Sequence, residues 1–268
     1  MYRIRTILIS ILLASGCLVC RGQFLDAASG LLQAPSAEMG PSGTVMISCN
    51  YLNQHATPPA WGYNTFNYGV SIVFLSRLEI GYVPTLLRQE NHPYTNISGK
   101  VEYYTLINQD QHFYVKVQLL REGEFGRSWI PALAVGVSDP STRDPFKDPD
   151  IDILDFNVKS GNGFFNRMYV VATKHFDTPA GVFGAHLGYQ YNVRHDLHYN
   201  APCAGIDWKP VWLQKDNVIS TRFIAEYDAR TFNVGLITSI WRDHFEVMVD
   251  LQSLRWLSAG VRYKFVIK

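Results

Sequence analysis

The sequence predicts an all-β chain, a closed antiparallel transmembrane β-barrel of about twelve strands. Three observations carry that expectation. Apolar residues alternate with polar or small ones along nearly every segment after residue 23, the period of a strand with one apolar face. Aromatic residues make up 13% of the chain against 18% charged, and they gather toward strand ends, as at the two boundaries of a bilayer. No amphipathic helix and no apolar run of transmembrane length follows residue 23.

Composition excludes the main competitors. A formal net charge of +1 without a basic run lacks a nucleic-acid footprint. A hydrophobic share of 47% is too high for intrinsic disorder, and neither a collagen period nor a heptad is present. The first residues read as a leader. Met1 to Arg5 is a short basic start, and the apolar run 7–19 is too short to cross a bilayer but fits a secretory h-region. Cleavage before Gln23 is one reading, and lipidation at Cys17 within Leu13-Ala-Ser-Gly-Cys17 is the other. Both export the chain. After residue 22 only Cys49 and Cys203 remain, and the sequence leaves their pairing open. No metal-ligand spacing survives there, so neither metal nor cofactor is expected.

Residues 23–41 are expected as a periplasmic or lumen-plugging segment, and 42–268 as the barrel. In the first strand, 43–52, Val45, Ile47, Cys49 and Tyr51 alternate with Thr44, Met46, Ser48 and Asn50. In 64–74 the apolar positions are Phe66, Tyr68, Val70, Ile72 and Phe74. Strands 77–84, 111–120, 129–138, 167–176, 182–192 and 204–212 follow, then 217–228, 231–240, 244–251 and 256–267. The early connections alternate long and short (53–63, 85–110, 139–166 and 193–203 against 75–76, 121–128, 177–181 and 213–216), the pattern of outer loops and periplasmic turns. Residues 100–106 are taken as loop, because a thirteenth strand would place the two ends of the barrel on opposite sides. Gly260-x-x-Tyr263-x-Phe265 has the form of a last strand read by outer-membrane assembly machinery. A secreted β-sandwich acting as a binding module is the alternative architecture. The non-apolar positions argue against it, being Gly, Ala, Asn or Gln as often as the solvated Lys, Glu and Thr of a sandwich surface.

Several short motifs share one order. Gly30-Leu-Leu-Gln-Ala-Pro35-Ser-Ala-Glu-Met-Gly-Pro-Ser-Gly43-Thr-Val resembles the opening of the YjbH-type outer-membrane proteins of exopolysaccharide production. Val115 to Phe125, Pro131 to Asp139, Tyr169 to Lys174, Gly205-Ile-Asp207, Ala225 to Asp228 and Asn233-Val-Gly235 are similar to later parts of that family. The chain looks like a compact member holding only the barrel. The resemblance implies an outer-membrane barrel linked to export or assembly of an extracellular polysaccharide, with no catalytic residues to carry over.

If the apolar faces meet lipid, the opposite faces meet the lumen. That places Glu79, Lys116, Gln118, Lys174, His186, Asp207, Lys209, Arg222, Glu226, Asp228, Glu246, Asp250, Arg262 and Lys264 inside, a mixed-sign interior suited to a salt-bridged plug or a narrow polar conduit. Glu226 and Asp228 lie two residues apart on one face, about 7 Å, a spacing that acid/base work on a glycoside could use. Arg222 on the same face offers the simpler role of ion pairing. His175 falls on the outward parity without a serine partner, and no Gly-x-Ser-x-Gly occurs, so no enzyme is expected. The acidic, proline-rich loop 139–155 lacks the glycine and distal glutamate of a calcium loop. Asn96-Ile-Ser98 matches a glycosylation acceptor, which an exported bacterial chain does not use. The partners expected are membrane lipid, the barrel assembly machinery and polysaccharide, and no nucleic acid. The competing function is a structural or partner-binding barrel without a conduit.

Overall fold

The computed structural model describes residues 23, 25–87, 94–95, 98–99, 101–102, 108–140, 163–192, 200–215 and 218–267. The stretch 1–22 expected as a leader, most of the loop 139–166 and Asn96 lie outside the described residues. Twelve strands form the wall: β1 Thr44–Leu52, β2 Thr65–Phe74, β3 Leu78–Leu87, β4 Asn108–Leu120, β5 Ala132–Ser138 and β6 Arg167–Thr178, then β7 Gly181–Tyr191, β8 Ala201–Pro210, β9 Ile219–Tyr227, β10 Phe232–Ile240, β11 Phe245–Gln252 and β12 Trp256–Val266. Each pairs antiparallel with its neighbours in sequence. β12 returns to β1 in a register running from Thr44 opposite Val266 to Tyr51 opposite Ala259. That last ladder closes the ring, so among the described residues no wall strand is left with an unpaired edge. A sandwich has no such closure, and the alternative falls.

The two ends differ. Connections after even-numbered strands, together with the start of β1 and the end of β12, form a turn end. Connections after odd-numbered strands form a loop end, where 53–64 and 139–166 are long. Tyr94–Thr95 and Val101–Glu102 pair as a two-residue hairpin apart from the wall, so residues 101–102 are not a thirteenth wall strand, while the rest of the stretch 100–106 expected as loop lies outside the described residues. β8 runs three residues earlier than its predicted start, because Pro202 takes a place in the ladder opposite Tyr189 and the chain turns into a 3-10 turn at Val211–Leu213. Leu119 is bulged out of the β4–β5 ladder, where Gln118 faces Ala134 and Leu120 faces Leu133.

The outward face is apolar. Ile47, Val70, Val170, Leu187 and Ile206 are each 45–66% exposed on a closed wall, where water would be a poor solvent for them. Aromatic rings flank that band at both ends. Phe176, Phe183, Trp208, Trp241, Tyr263 and Phe265 lie toward the turn end, with Phe183 stacked on Trp208 at 5.7 Å. Tyr51, Phe66, Phe113, Tyr189, Tyr227 and Phe232 lie toward the loop end, with Tyr227 and Phe232 at 4.8 Å. A strand of ten residues rising about 3.4 Å each and tilted about 40° covers roughly 25 Å of a membrane normal, the height of such a band. The molecule is an all-β, twelve-stranded transmembrane barrel of outer-membrane type.

The lumen is occupied by the chain itself. Every residue from Leu25 to Ala37 is buried. Leu25, Leu31, Leu32 and Ala34 pack with Leu52, Ile224, Ile237 and Met248 of the inner wall and with Phe164 and Phe165. Two inner-wall glycines create the room. A side chain at Gly205 would meet Leu31 at 2.3 Å, and one at Gly235 would meet Leu32 at 2.8 Å. Burying these two leucines supplies about 2–3 kcal/mol each.

Candidate functional site

The inner wall converts its charges into anchors for this plug. The plug reverses direction over Leu31–Ala34, where Leu31 N–H donates to the Ala34 carbonyl at 3.2 Å. Such a turn leaves backbone N–H groups pointing outward, and one carboxylate gathers them. Glu226 accepts from the N–H of Leu32 at 3.0 Å, Gln33 at 2.7 Å and Ala34 at 3.2 Å. Gln33 Nε2 also donates to Asp250 at 2.9 Å.

Neighbouring strands hold the earlier part. Ser29 N–H donates to Glu79 at 2.8 Å, and the Tyr114 hydroxyl donates to the same carboxylate at 2.6 Å. Lys116 pairs with Glu79 at 3.2 Å and donates to the carbonyls of Ser29 and Glu38 at 2.6 and 2.8 Å. Arg262 donates to the carbonyls of Ala28 and Gln23, and Arg222 to that of Gly30. Gln118 Nε2 donates to the Ala37 carbonyl at 2.7 Å. Asp26 returns the favour from the plug side: Arg167 Nε and the Ser138 hydroxyl donate to it at 3.0 and 2.8 Å, with His112 Nε2 at 3.3 Å. Burial pushes the Asp26 carboxyl up, but Arg167 and His112 beside it prevail and hold it well below the usual carboxylate range.

The residues singled out from the sequence fall as follows. Glu79, Lys116, Gln118, His186, Asp207, Arg222, Glu226, Glu246, Asp250, Arg262 and Lys264 are buried on the inner face. Lys264 pairs with Glu246 at 2.8 Å. Asp228 is buried just past the end of β9, where it caps the turn to β10 by accepting from the N–H of Arg230 and Thr231. The Glu226–Asp228 pair is thus taken up by backbone N–H groups and Arg230. Lys209 lies half-buried on the inward register near the turn end, opposite Val182. Gly260 faces inward beside Asn50 and Met248, and Tyr263 and Phe265 face outward with ring centroids 5.8 Å apart.

Lys174 and His175 are exchanged relative to expectation. The inward residues of β6 are Arg167, Tyr169, Val171 and Thr173, so His175 follows them inward, while Lys174 turns outward to Glu122 and the Phe176 ring. The reason is the plug: Ala37 packs with Ala132, Ala134, Tyr169 and Val171, making this part of the lumen apolar. Polarity then no longer marks the inner face. Cys49 faces outward and Cys203 inward, and both are free thiols.

At the turn end, beyond Ala37, the plug leaves a cavity of about 330 Å³ lined by Glu38, Met39, Gln118, Glu122, Thr173, His175 and Val182. His175 lies between two carboxylates, with Nδ1 at 2.6 Å from Glu122 and Nε2 at 3.1 Å from Glu38. His186 has Nδ1 at 2.9 Å from the Thr173 hydroxyl and Nε2 at 2.8 Å from Asp207. Burial raises the Glu122 carboxyl, but the hydrogen bonds from Lys174 and His175 outweigh it and leave the group below its ordinary value. Sequence reasoning missed the plug-side partners Asp26, Ser29, Gln33 and Glu38. The signal that could have found them is the series of small inward residues, Gly205 and Gly235 above all, in a lumen otherwise lined by large groups.

Comparison with curated proteins finds no matching sequence. Among solved structures the chain is similar to LpxR from Salmonella typhimurium at 7% identity and a TM-score of 0.38, covering 84% of this chain and 100% of that one. It is also similar to an outer-membrane channel from Pseudomonas putida F1, at 9% identity and a TM-score of 0.39 over 88% of this chain and 100% of that one. A mutant porin of Rh. blastica follows, at 9% identity and a TM-score of 0.30 over 84% and 99%. The motifs at Gly30–Val45, Val115–Phe125 and Pro131–Asp139 all fall within one matched segment: residues 26–147 match the model of the YjbH family, described as "Exopolysaccharide biosynthesis protein YbjH".

Proposed function

We propose that this protein is a bacterial outer-membrane barrel that takes part in export or assembly of an extracellular polysaccharide, without chemistry of its own, and that its resting state is closed. The exopolysaccharide context comes from the family match over 26–147. The closed state comes from the burial of Leu25–Ala37 and its anchorage by Glu226, Glu79, Lys116 and Arg262. Lipid meets the aromatic-flanked outer wall, and the assembly machinery would read Gly260, Tyr263 and Phe265. Export would be directed by the leader over 1–22.

The single observation that carries the closed state is the grip of one buried carboxylate, Glu226, on three successive plug N–H groups. It also favours a second reading, in which the barrel is a partner-binding platform and sugar never crosses its lumen. Secretion of polysaccharide by a strain lacking the gene, and by one carrying a variant with 25–37 deleted, separates these readings. Loss of secretion in the null strain supports the role. Unchanged secretion there removes it, and full rescue by the deleted variant favours the platform.

A further inference from the structure

We infer that His175, His186 and Asp207, closed by Glu38 of the plug, form a binding site for a divalent transition-metal ion such as Zn²⁺, which latches the end of the plug to the barrel wall. The inference stands on geometry alone and does not depend on the polysaccharide reading. It departs from the sequence-based expectation of no metal.

Three neighbouring strands build the site around one glycine. Gly184 of β7 stands opposite His175 of β6 on one side and Asp207 of β8 on the other. His186 lies two residues along β7, on the same inward face. A side chain at position 184 would meet the Asp207 carboxylate at 2.1 Å and His186 Nε2 at 3.0 Å. Glycine therefore leaves the space that the Asp207 and His186 side chains fill, with His175 on the neighbouring strand. Among the described residues these are the one set of His, Cys and carboxylate groups near enough to share an ion, their ligand atoms lying within 4.8 Å of one another.

The imidazoles are oriented as metal ligands usually are, with one nitrogen held by an outer partner and the other facing the site. Nδ1 of His175 is directed at Glu122 and Nδ1 of His186 at Thr173. The two Nε2 atoms face Glu38 at 3.1 Å and Asp207 at 2.8 Å. In a tetrahedral zinc site, bonds of about 2.0–2.2 Å place ligand atoms roughly 3.3 Å apart. The two pairs already match that spacing, and the wall ligands, within 4.8 Å of one another, would draw together with Glu38 on binding the ion. The donor set of two imidazoles and two carboxylates suits Zn²⁺ or another first-row ion better than Ca²⁺ or Mg²⁺, which prefer oxygen alone. The charges around it are Arg222, 3.4 Å from Glu38 and 3.8 Å from Asp207, Lys174 on Glu122, and Lys116 on the Glu38 carbonyl. Three carboxylates, Glu38, Glu122 and Asp207, oppose these cations. The 330 Å³ cavity beside His175 and Glu38 gives an ion a route from the turn end.

The test is calorimetric titration of Zn²⁺ into the detergent-folded full barrel, with each variant first checked for heat-modifiable migration. One Zn²⁺ per barrel is expected, with affinity reduced at least tenfold in His186→Ala, Asp207→Asn and Glu38→Gln and unchanged in His55→Ala, which alters a histidine near the loop end. Substituted Co²⁺ should give the intense visible bands of tetrahedral coordination, a readout that needs no variant to fold. Absence of stoichiometric binding by the wild type, or undiminished affinity in His186→Ala, would overturn the site. Undiminished affinity in Glu38→Gln would overturn the latch.

Discussion

At the scale of single residues, buried carboxylates do most of the specifying. Replacing Glu226 by Ala leaves the N–H groups of Leu32, Gln33 and Ala34 buried without their acceptor, and each such group costs about 1–3 kcal/mol. We expect Glu226→Ala to keep the barrel closed as a ring but to lower its detergent melting temperature and expose the plug to protease, which limited proteolysis would detect. Asp26 sets a pH dependence. Its folded pKa is depressed, so its contribution is fully present above the ordinary carboxylate range and is lost progressively as pH falls from that range through the folded value, in strong acid. Between neutral pH and about pH 5 the wild-type melting temperature should therefore owe no change to this group, whereas Asp26→Asn should lower it throughout that window. A steep loss in the wild type that Asp26→Asn abolishes would contradict the assignment.

At the scale of elements, strand positions were legible because each strand has one face in lipid. The apolar alternation of β2, β7 and β12 survives intact, since Phe66, Leu187 and Val261 stay exposed on the outer, lipid-facing side of the wall. The turns at 75–76 and 252–255 were legible only as breaks between alternating runs, not from their own residues. Leu75–Ser76 and Ser253–Leu254 adopt φ values of +51° to +58° without Asn or Gly, so the residue types that usually announce such hairpins are missing. β6 misled for a different reason: Tyr169 and Val171 pack on the plug among the inward residues, which blurs the polarity of the inner face, and Lys174 and His175 change places. The plug's path is equally hidden, because burial of Leu31 and Leu32 depends on glycines more than 150 residues away in sequence, a separation no local pattern encodes. That dependence is testable. Gly205→Leu puts a second side chain where Leu31 lies, so we expect a folded ring whose plug is displaced, seen as increased cysteine labelling of Leu31→Cys from the aqueous side. Protection equal to that in the parent would show that Leu31 does not occupy this place.

At the scale of the whole molecule, closure and plugging do separate things. The β1–β12 ladder removes the sheet edge, so the barrel should resist detergent until boiled and migrate faster unboiled than boiled. On the proposed reading the plug decides whether the ring conducts. The charged lumen predicted from sequence was compatible with both a conduit and a filled core, since a count of inward Lys, Arg, Asp and Glu does not reveal what they bond. Here Lys116, Arg222, Arg262 and Glu226 bond to the chain's own backbone. Planar-bilayer conductance tests this most directly. The wild-type barrel should be silent or nearly so, and the variant lacking residues 25–37 should show discrete, stable open events. Large steady conductance in the wild type, or silence in a folded, heat-modifiable deletion variant, would contradict a lumen closed by its own N-terminal segment.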